Sequence, residues 1–201
     1  MRVLDYIIKG GVMMLPLVLC SVLALGITLE RLWSLRRKRI LRYDLLHRLE
    51  ELLREQKIPE ATTLCKRYQS TMTRILLVAL LNHDHPKAEI KEMIEENGRQ
   101  EVPILERYLT SLGTMANIAP FLGLLGTVVG LLKIFEAIAQ QGTANAALVS
   151  DGIYNALITT VAGLCVAIPT LVAYNHLMRK AEELMLEVER VALRLLNILK
   201  R

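Results

Sequence analysis

Read for its hydrophobic and polar positions, the chain alternates long uncharged runs with charged stretches of helical period. Three runs contain no Asp, Glu, Lys or Arg: Gly10 to Leu29, Tyr108 to Leu132, and Gly152 to Met178, in which only His176 is titratable. At 1.5 Å per residue each is long enough for a hydrocarbon core of about 30 Å. The pattern predicts membrane helices within 10–30, 108–139 and 152–178. Between the first and second, Arg36 to Gln56 reads as one amphipathic helix with Leu41, Leu45, Leu49 and Leu52 at helical spacing, and Pro59 is expected to end it. Glu60 to Leu81 forms a second helical pattern, and Asn82-His83-Asp84-His85-Pro86 is a break. From Lys87 a Glu- and Lys-rich pattern is expected to join the second span as one long helix bent near Pro103. After the third span, the tail 179–201 shows Leu184, Val188, Val191, Leu195 and Ile198 in a heptad-like seam. Such a seam packs against another helix, either of its own loop or of a neighbouring subunit. The fold class is all-α: a polytopic membrane protein with three transmembrane helices and long cytoplasmic helical extensions.

Charge gives the expected orientation. Of the 25 Lys and Arg residues, 16 lie from Arg31 to Arg107, 6 from Arg179 onward, 2 before the first span, and only Lys133 between the second and third. By the positive-inside rule the loop 31–107 and the tail are cytoplasmic, while 1–9 and 140–151 lie outside, in the periplasm. Leu4, Ile7 and Ile8 of the first segment are placed toward membrane lipid, and Trp33 falls at an interface. Hydrophobic residues make up 53% of the chain and charged residues still 22%, which suits a membrane protein with substantial soluble segments rather than a globular enzyme. The net charge of +5 follows this membrane asymmetry, so nucleic acid is not an expected partner. The first span lacks a small-residue cleavage site and runs straight into basic residues, so it reads as an uncleaved anchor. Leu19 is too bulky to precede a lipoprotein cysteine at Cys20. Cys20, Cys65 and Cys165 imply no disulfide framework and read as small packing residues.

The second span is unusual in its glycines. Each interior Gly costs a helix roughly 0.5–1 kcal/mol against Ala in water, yet APFLGLLGTVVGLL carries three. In lipid, small residues are favoured where helices pack closely. At 100° per residue Ala116, Pro120, Gly123, Thr127 and Gly130 share one side of the helix. On the third span Gly152, Ala156, Thr159, Thr160, Gly163 and Ala167 form a similar small face, and Pro169 falls inside the helix, where its missing hydrogen bond must be accommodated. Together with Gly126, these small and proline positions are the candidate helix-packing and subunit-interface residues.

APFLGLLGTVVGL, followed by GIYNALITTVAGLCVAIPTLVAYN at Gly152 to Asn175, resembles the paired second and third transmembrane segments of the MotA/TolQ/ExbB proton channel family, closest to its ExbB and TolQ branch. The two segments with their loop cover roughly 60 of the residues. The resemblance implies an inner-membrane homo-oligomer, a pentamer, around a dimer of single-span helices of an ExbD or TolR type, with a TonB- or TolA-like protein beyond. It also implies that ion flow drives an outer-membrane process. By resemblance Thr127 and Thr160 line the ion path, with Thr159 and Asn155 as further candidates. Thr127 lies six residues before Lys133 and Thr160 nine after Asp151, roughly 9 and 14 Å below the outer charges. The two antiparallel helices therefore carry the hydroxyls at comparable depth. The plain alternative is that such threonines bond back to their own helix. Members of the branch commonly carry an acid where this chain has Asn155. An amide coordinates water or an ion but carries no proton, so any proton-accepting carboxylate is implied to come from the partner's Asp.

His83 and His85 could supply two metal ligands, but no further ligand stands at suitable spacing, and a solvated turn accounts for them. No phosphate loop, nucleophile elbow or zinc motif occurs, so neither a cofactor nor catalysis is expected. A non-conducting membrane scaffold is the rival reading, and a solute transporter finds no internal repeat to support it.

Overall fold

The computed structural model describes residues 11–141 and 146–200. It is 88% helical, with no strand among the described residues. The helices are α1 Met14–Ser34, α2 Arg37–Ile40, α3 Tyr43–Arg54, α4 Ile58–Arg67, α5 Thr71–Leu81, α6 Lys87–Leu105, α7 Leu109–Gln141 and α8 Ala146–Leu199. The expectations placed on 1–9 and on 142–145 lie outside the described residues. The chain divides into two units, Met1–Glu30 with Tyr108–His176, and Arg31–Arg107 with Leu177–Arg201.

In the first unit α1, α7 and the leading part of α8 bury small residues against one another. Ala119 of α7 and Ala167 of α8 are enclosed with Met14 and Leu17 of α1, and Leu122, Ala162 and Val166 pack around them. The large apolar side chains point the other way: Leu15, Leu19 and Val22 on α1, Phe121, Leu132 and Phe135 on α7, Val161, Ile168 and Val172 on α8 are exposed. So extensive an apolar surface is stable in lipid rather than in water. Three helices among the described residues are long and apolar enough to cross a membrane. Pro169 sits inside α8, which continues through it.

The second unit is a helical bundle built as a soluble core. Leu41, Leu45, Leu49 and Leu53 are buried, as are Ile75, Leu76, Ile90 and Ile94. Several boundaries differ from the sequence expectation. The stretch Arg36 to Gln56 is two helices, because the chain leaves helical geometry at Leu41 and Arg42. Leu41 is thereby fully enclosed while the Arg42 guanidinium lies 4.9 Å from the Tyr68 ring centre. Pro59 does not end α3. That helix stops in a left-handed turn at Gln56 (φ 58), where the Lys57 and Gln56 amides donate to the carbonyls of Leu52 and Leu53. Pro59 instead occupies the first turn of α4, where a missing N–H costs nothing. Glu60 to Leu81 is also interrupted. Ser70 starts α5 with a reciprocal cap, its hydroxyl accepting from the Thr73 amide at 3.3 Å and its own amide donating to Thr73 Oγ1 at 2.8 Å. The expected continuous helix bent at Pro103 is absent as well: α6 ends at Leu105, and Tyr108 takes a left-handed φ of 65° before α7 begins. Pro103 lies two residues from that end, so the bond it cannot donate weakens only the final turn.

The tail of α8 packs on its own loop helices. Leu195, Leu196 and Leu199 meet Leu49 and Leu53 of α3 and Leu76, Ala79 and Leu80 of α5. Leu184, Val188 and Leu195 are buried as the seam predicts, whereas Val191 and Ile198 are only half-buried and the neighbouring Ala192 and Leu199 take their places. Polar clamps add direction. Arg37 pairs with Glu187 and Arg194 with Glu50. Arg74 grips the buried Glu101 with two hydrogen bonds, Nε to Oε1 at 2.7 Å and Nη2 to Oε2 at 2.5 Å, and this contact raises the guanidinium above its usual range.

Cys65 lies in this core, and burial pushes its thiol up to about 12. At pH 8 the reactive thiolate is then roughly one part in ten thousand. Maleimide should therefore leave Cys65 unmodified in folded protein at pH 8 and modify it on denaturation. Rapid labelling without denaturant, read by mass spectrometry of the Cys65 peptide, would contradict this packing.

Candidate functional site

The small faces of α7 and α8 meet each other within one chain. A Cβ built on Gly123 would stand 2.8 Å from the Thr159 carbonyl oxygen, 3.0 Å from Thr160 Cα and 3.2 Å from Gly163 Cα, and one on Gly163 would stand 2.7 Å from the Ala119 carbonyl oxygen. One turn along, Gly126 lies against the Thr159 side chain, Gly130 faces Ala156 at 2.7 Å, and Gly152 faces Ile134 at 2.5 Å. Each step of three or four residues along α7 is matched by one of three or four backward along α8, the register of an antiparallel pair in contact along small residues. Ala116 and Ala167 are enclosed, while Pro120 is half-buried and Pro169 exposed. The glycine stripes are therefore consumed between the second and third spans of a single chain.

Close approach exposes one backbone acceptor to the neighbouring helix. The hydroxyls of Thr159 and Thr160 both donate to the Gly123 carbonyl, at 3.2 and 3.1 Å. Thr159 also bonds the Ala156 carbonyl of its own helix at 2.7 Å and is almost wholly buried. Thr160 is half-buried. Adjacent residues point about 100° apart, yet the missing Cβ of Gly123 lets both hydroxyls reach one oxygen. Thr127, half-buried one turn further along α7, donates to the Leu124 carbonyl at 2.6 Å. No hydrogen bond joins it to the other two threonines among the described residues. Each hydroxyl thus has a backbone acceptor, and the oxygens of the half-buried Thr127 and Thr160 keep lone pairs for water or a cation.

Toward the other end of the pair, Gly126, Gly130 and Ile134 of α7 and Asp151 and Asn155 of α8 border a cavity of about 340 Å³, with Lys133 also on its wall. Asn155 Nδ2 donates to Asp151 Oδ2 at 3.3 Å, one turn earlier on the same helix. Its Oδ1 is shielded from solvent without a hydrogen-bond partner among the described residues. An orphaned buried acceptor beside a carboxylate and an ammonium is a place for ordered water. The sequence reading singled out Asn155 but used Asp151 and Lys133 only as depth markers; their spacings on the two helices already put them at one end of the pair.

Thr170 was missed altogether. It is buried on α8 and donates to the Val166 carbonyl at 2.6 Å. A single hydroxyl in an apolar run gives no sign of which face it takes. His176 is exposed. His83 Nδ1 lies 3.1 Å from the Leu80 carbonyl and His85 Nδ1 3.0 Å from Glu89, so the two rings serve separate local contacts.

The sequence profile of the MotA/TolQ/ExbB proton channel family matches residues 55–190. The chain is 33% identical over 168 residues to the biopolymer transport protein ExbB-like 3 of Synechocystis sp., covering 83% of this chain and 80% of that one. It is 35% identical over 185 residues to ExbB-like 1 of the same organism, covering 88% and 70%. With the Tol-Pal system protein TolQ of Haemophilus influenzae it shares 38% identity over 100 residues, 48% and 44% of the two chains.

Proposed function

Because this chain belongs to the MotA/TolQ/ExbB proton channel family, whose members are transport and channel proteins rather than enzymes, we propose that it is the channel subunit of an ion-driven motor in a bacterial inner membrane. In this reading a homo-oligomer, a pentamer, surrounds a dimer of a single-span ExbD- or TolR-like partner. The proton or sodium gradient then moves the assembly and energises an outer-membrane process through a TonB- or TolA-like protein. At about 100 mV each elementary charge crossing contributes roughly 2.3 kcal/mol, enough for mechanical work over a few ions. The observation that carries the reading is the group of hydroxyls, Thr127, Thr159 and Thr160, on two antiparallel membrane helices held together by glycines. Asn155 lines the route but carries no proton, so the partner supplies the carboxylate. Co-reconstitution of the chain with its single-span partner in liposomes is expected to give gradient-driven ion flux. A non-conducting scaffold is favoured by one feature, that every one of these hydroxyls already has a backbone acceptor, and absence of flux would support it.

The proposed orientation places residues 1–9 and 140–151 outside, and 31–107 and 179–201 in the cytoplasm. A membrane-impermeant thiol reagent applied from outside should modify a cysteine placed at Gly142 and spare one placed at Gln69. The reverse pattern would invert the topology, and with it the depth assigned to the threonines.

A further inference from the structure

We infer that the α8 tail carries both halves of a head-to-tail contact between copies of this chain, an inference that rests on the homo-oligomeric reading above. On one flank of the tail, Val102, Leu105 and Met185 floor a groove of about 360 Å³ rimmed by Glu106, Glu182 and Glu189. None of these three carboxylates has an ion pair within the chain among the described residues. On the opposite flank, Arg37, Lys180, Arg190 and Arg194 outnumber Glu183 and Glu187 around a groove of about 590 Å³. Arg37 is held by Glu187, and Arg194 by Glu50 from outside this groove, which leaves Lys180 and Arg190 without carboxylate partners among the described residues. Leu186 borders both grooves and is 52% exposed, an apolar ridge between an acidic and a basic surface.

The occupant that satisfies both flanks at once is a second copy. When two tails lie side by side and parallel, equivalent residues share a height. Glu182 of one then stands about 3 Å along the axis from Lys180 of the next, and Glu189 about 1.5 Å from Arg190. Acid meets base in register, with Leu186 at the seam. A two-fold contact that set each acidic flank against its own copy would be repulsive; one across the Leu186 ridge would also pair acid with base but would stop at a dimer, whereas the homo-oligomer proposed above is a ring. A contact made by different flanks of identical subunits is heterologous, and its repetition closes a ring when the rotation allows. The tail charges thereby act as a device for cyclic assembly, separate from the glycine-packed pair in the membrane.

The test is disulfide cross-linking of the full chain in membranes, with Cys20, Cys65 and Cys165 replaced by alanine. The double variant Lys180→Cys/Glu182→Cys is expected to give an oxidant-dependent ladder that stops at the ring's subunit number. Residues two apart on a helix point about 160° away from each other, so the two thiols cannot pair within a chain. Each single variant should give little product, on the order of tenfold less, because like flanks never meet in a heterologous contact. Glu182→Lys/Glu189→Lys should lower oligomer yield, and adding Lys180→Glu/Arg190→Glu should restore it, which an unfolded variant would not do. Absence of a ladder while native mass spectrometry shows oligomeric protein would overturn the contact and leave the oligomer standing. A product of the double variant that stops at the dimer, or equal cross-linking of the single variants, would overturn it in favour of a two-fold contact, and a monomeric unsubstituted chain would overturn the contact and the homo-oligomeric reading together.

Discussion

Gly123→Ala is expected to be strongly destabilising to the membrane unit, as Gly163→Ala is on the facing helix. The carbon added at Gly123 would meet the Thr159 carbonyl oxygen at 2.8 Å, Thr160 Cα at 3.0 Å and Gly163 Cα at 3.2 Å. All three neighbours are backbone, so no rotamer change relieves the clash. Overpacking a close-packed interior costs about 1–3 kcal/mol, occasionally more. The intrinsic helix gain of Ala over Gly, roughly 0.5–1 kcal/mol, offsets only part of that. Relaxation requires α7 and α8 to separate, which also breaks the Thr159 and Thr160 hydrogen bonds to the Gly123 carbonyl. Gly26→Ala is the matched control, since nothing lies within 4 Å of its added carbon. Thermal unfolding in detergent should show a clear drop in Tm for Gly123→Ala and none for Gly26→Ala. Equal stability of the two would contradict the α7–α8 register.

The second large effect falls on ion coupling. Thr127→Val with Thr160→Val preserves shape and removes only the two hydroxyls. Hydrogen bonds between membrane helices contribute on average about 0.6 kcal/mol, and the Thr127 bond lies within its own helix, so folding should survive while coupled ion flow is lost. Thr159→Val is a less clean probe, because its enclosed hydroxyl bonds both the Ala156 and Gly123 carbonyls and its side chain abuts Gly126. Asn155→Ala should reduce flux less than the double Val variant, since the partner is proposed to hold the ion. Asn155→Asp should be tolerated if the cavity around Asn155 is hydrated.

The membrane helices were legible in the sequence because lipid imposes length and apolarity on a span, and 10–29, 108–132 and 152–178 meet both. The second unit was less legible. Its helices are short and set by tertiary contacts: Leu41 leaves helical geometry where it is buried, and Gln56 turns left-handed without being glycine. The Ser70 cap could have been read from Ser-x-x-Thr ahead of an apolar run. Helical periodicity found the small stripes at Gly123, Gly130 and Gly163, but a face that suits close packing does not say whose helix it packs against. That Thr159 and Thr160 would share one acceptor was hidden for the same reason, since it depends on how closely Gly123 lets α8 approach.

The central claim is that the α7–α8 hydroxyls belong to an ion path. Its most direct test is gradient-driven flux in liposomes holding the chain with its single-span partner, comparing the unsubstituted chain with Thr127→Val/Thr160→Val at equal protein level and equal Tm. The account predicts flux in the first and near-complete loss in the second. Undiminished flux in the double Val variant would contradict it.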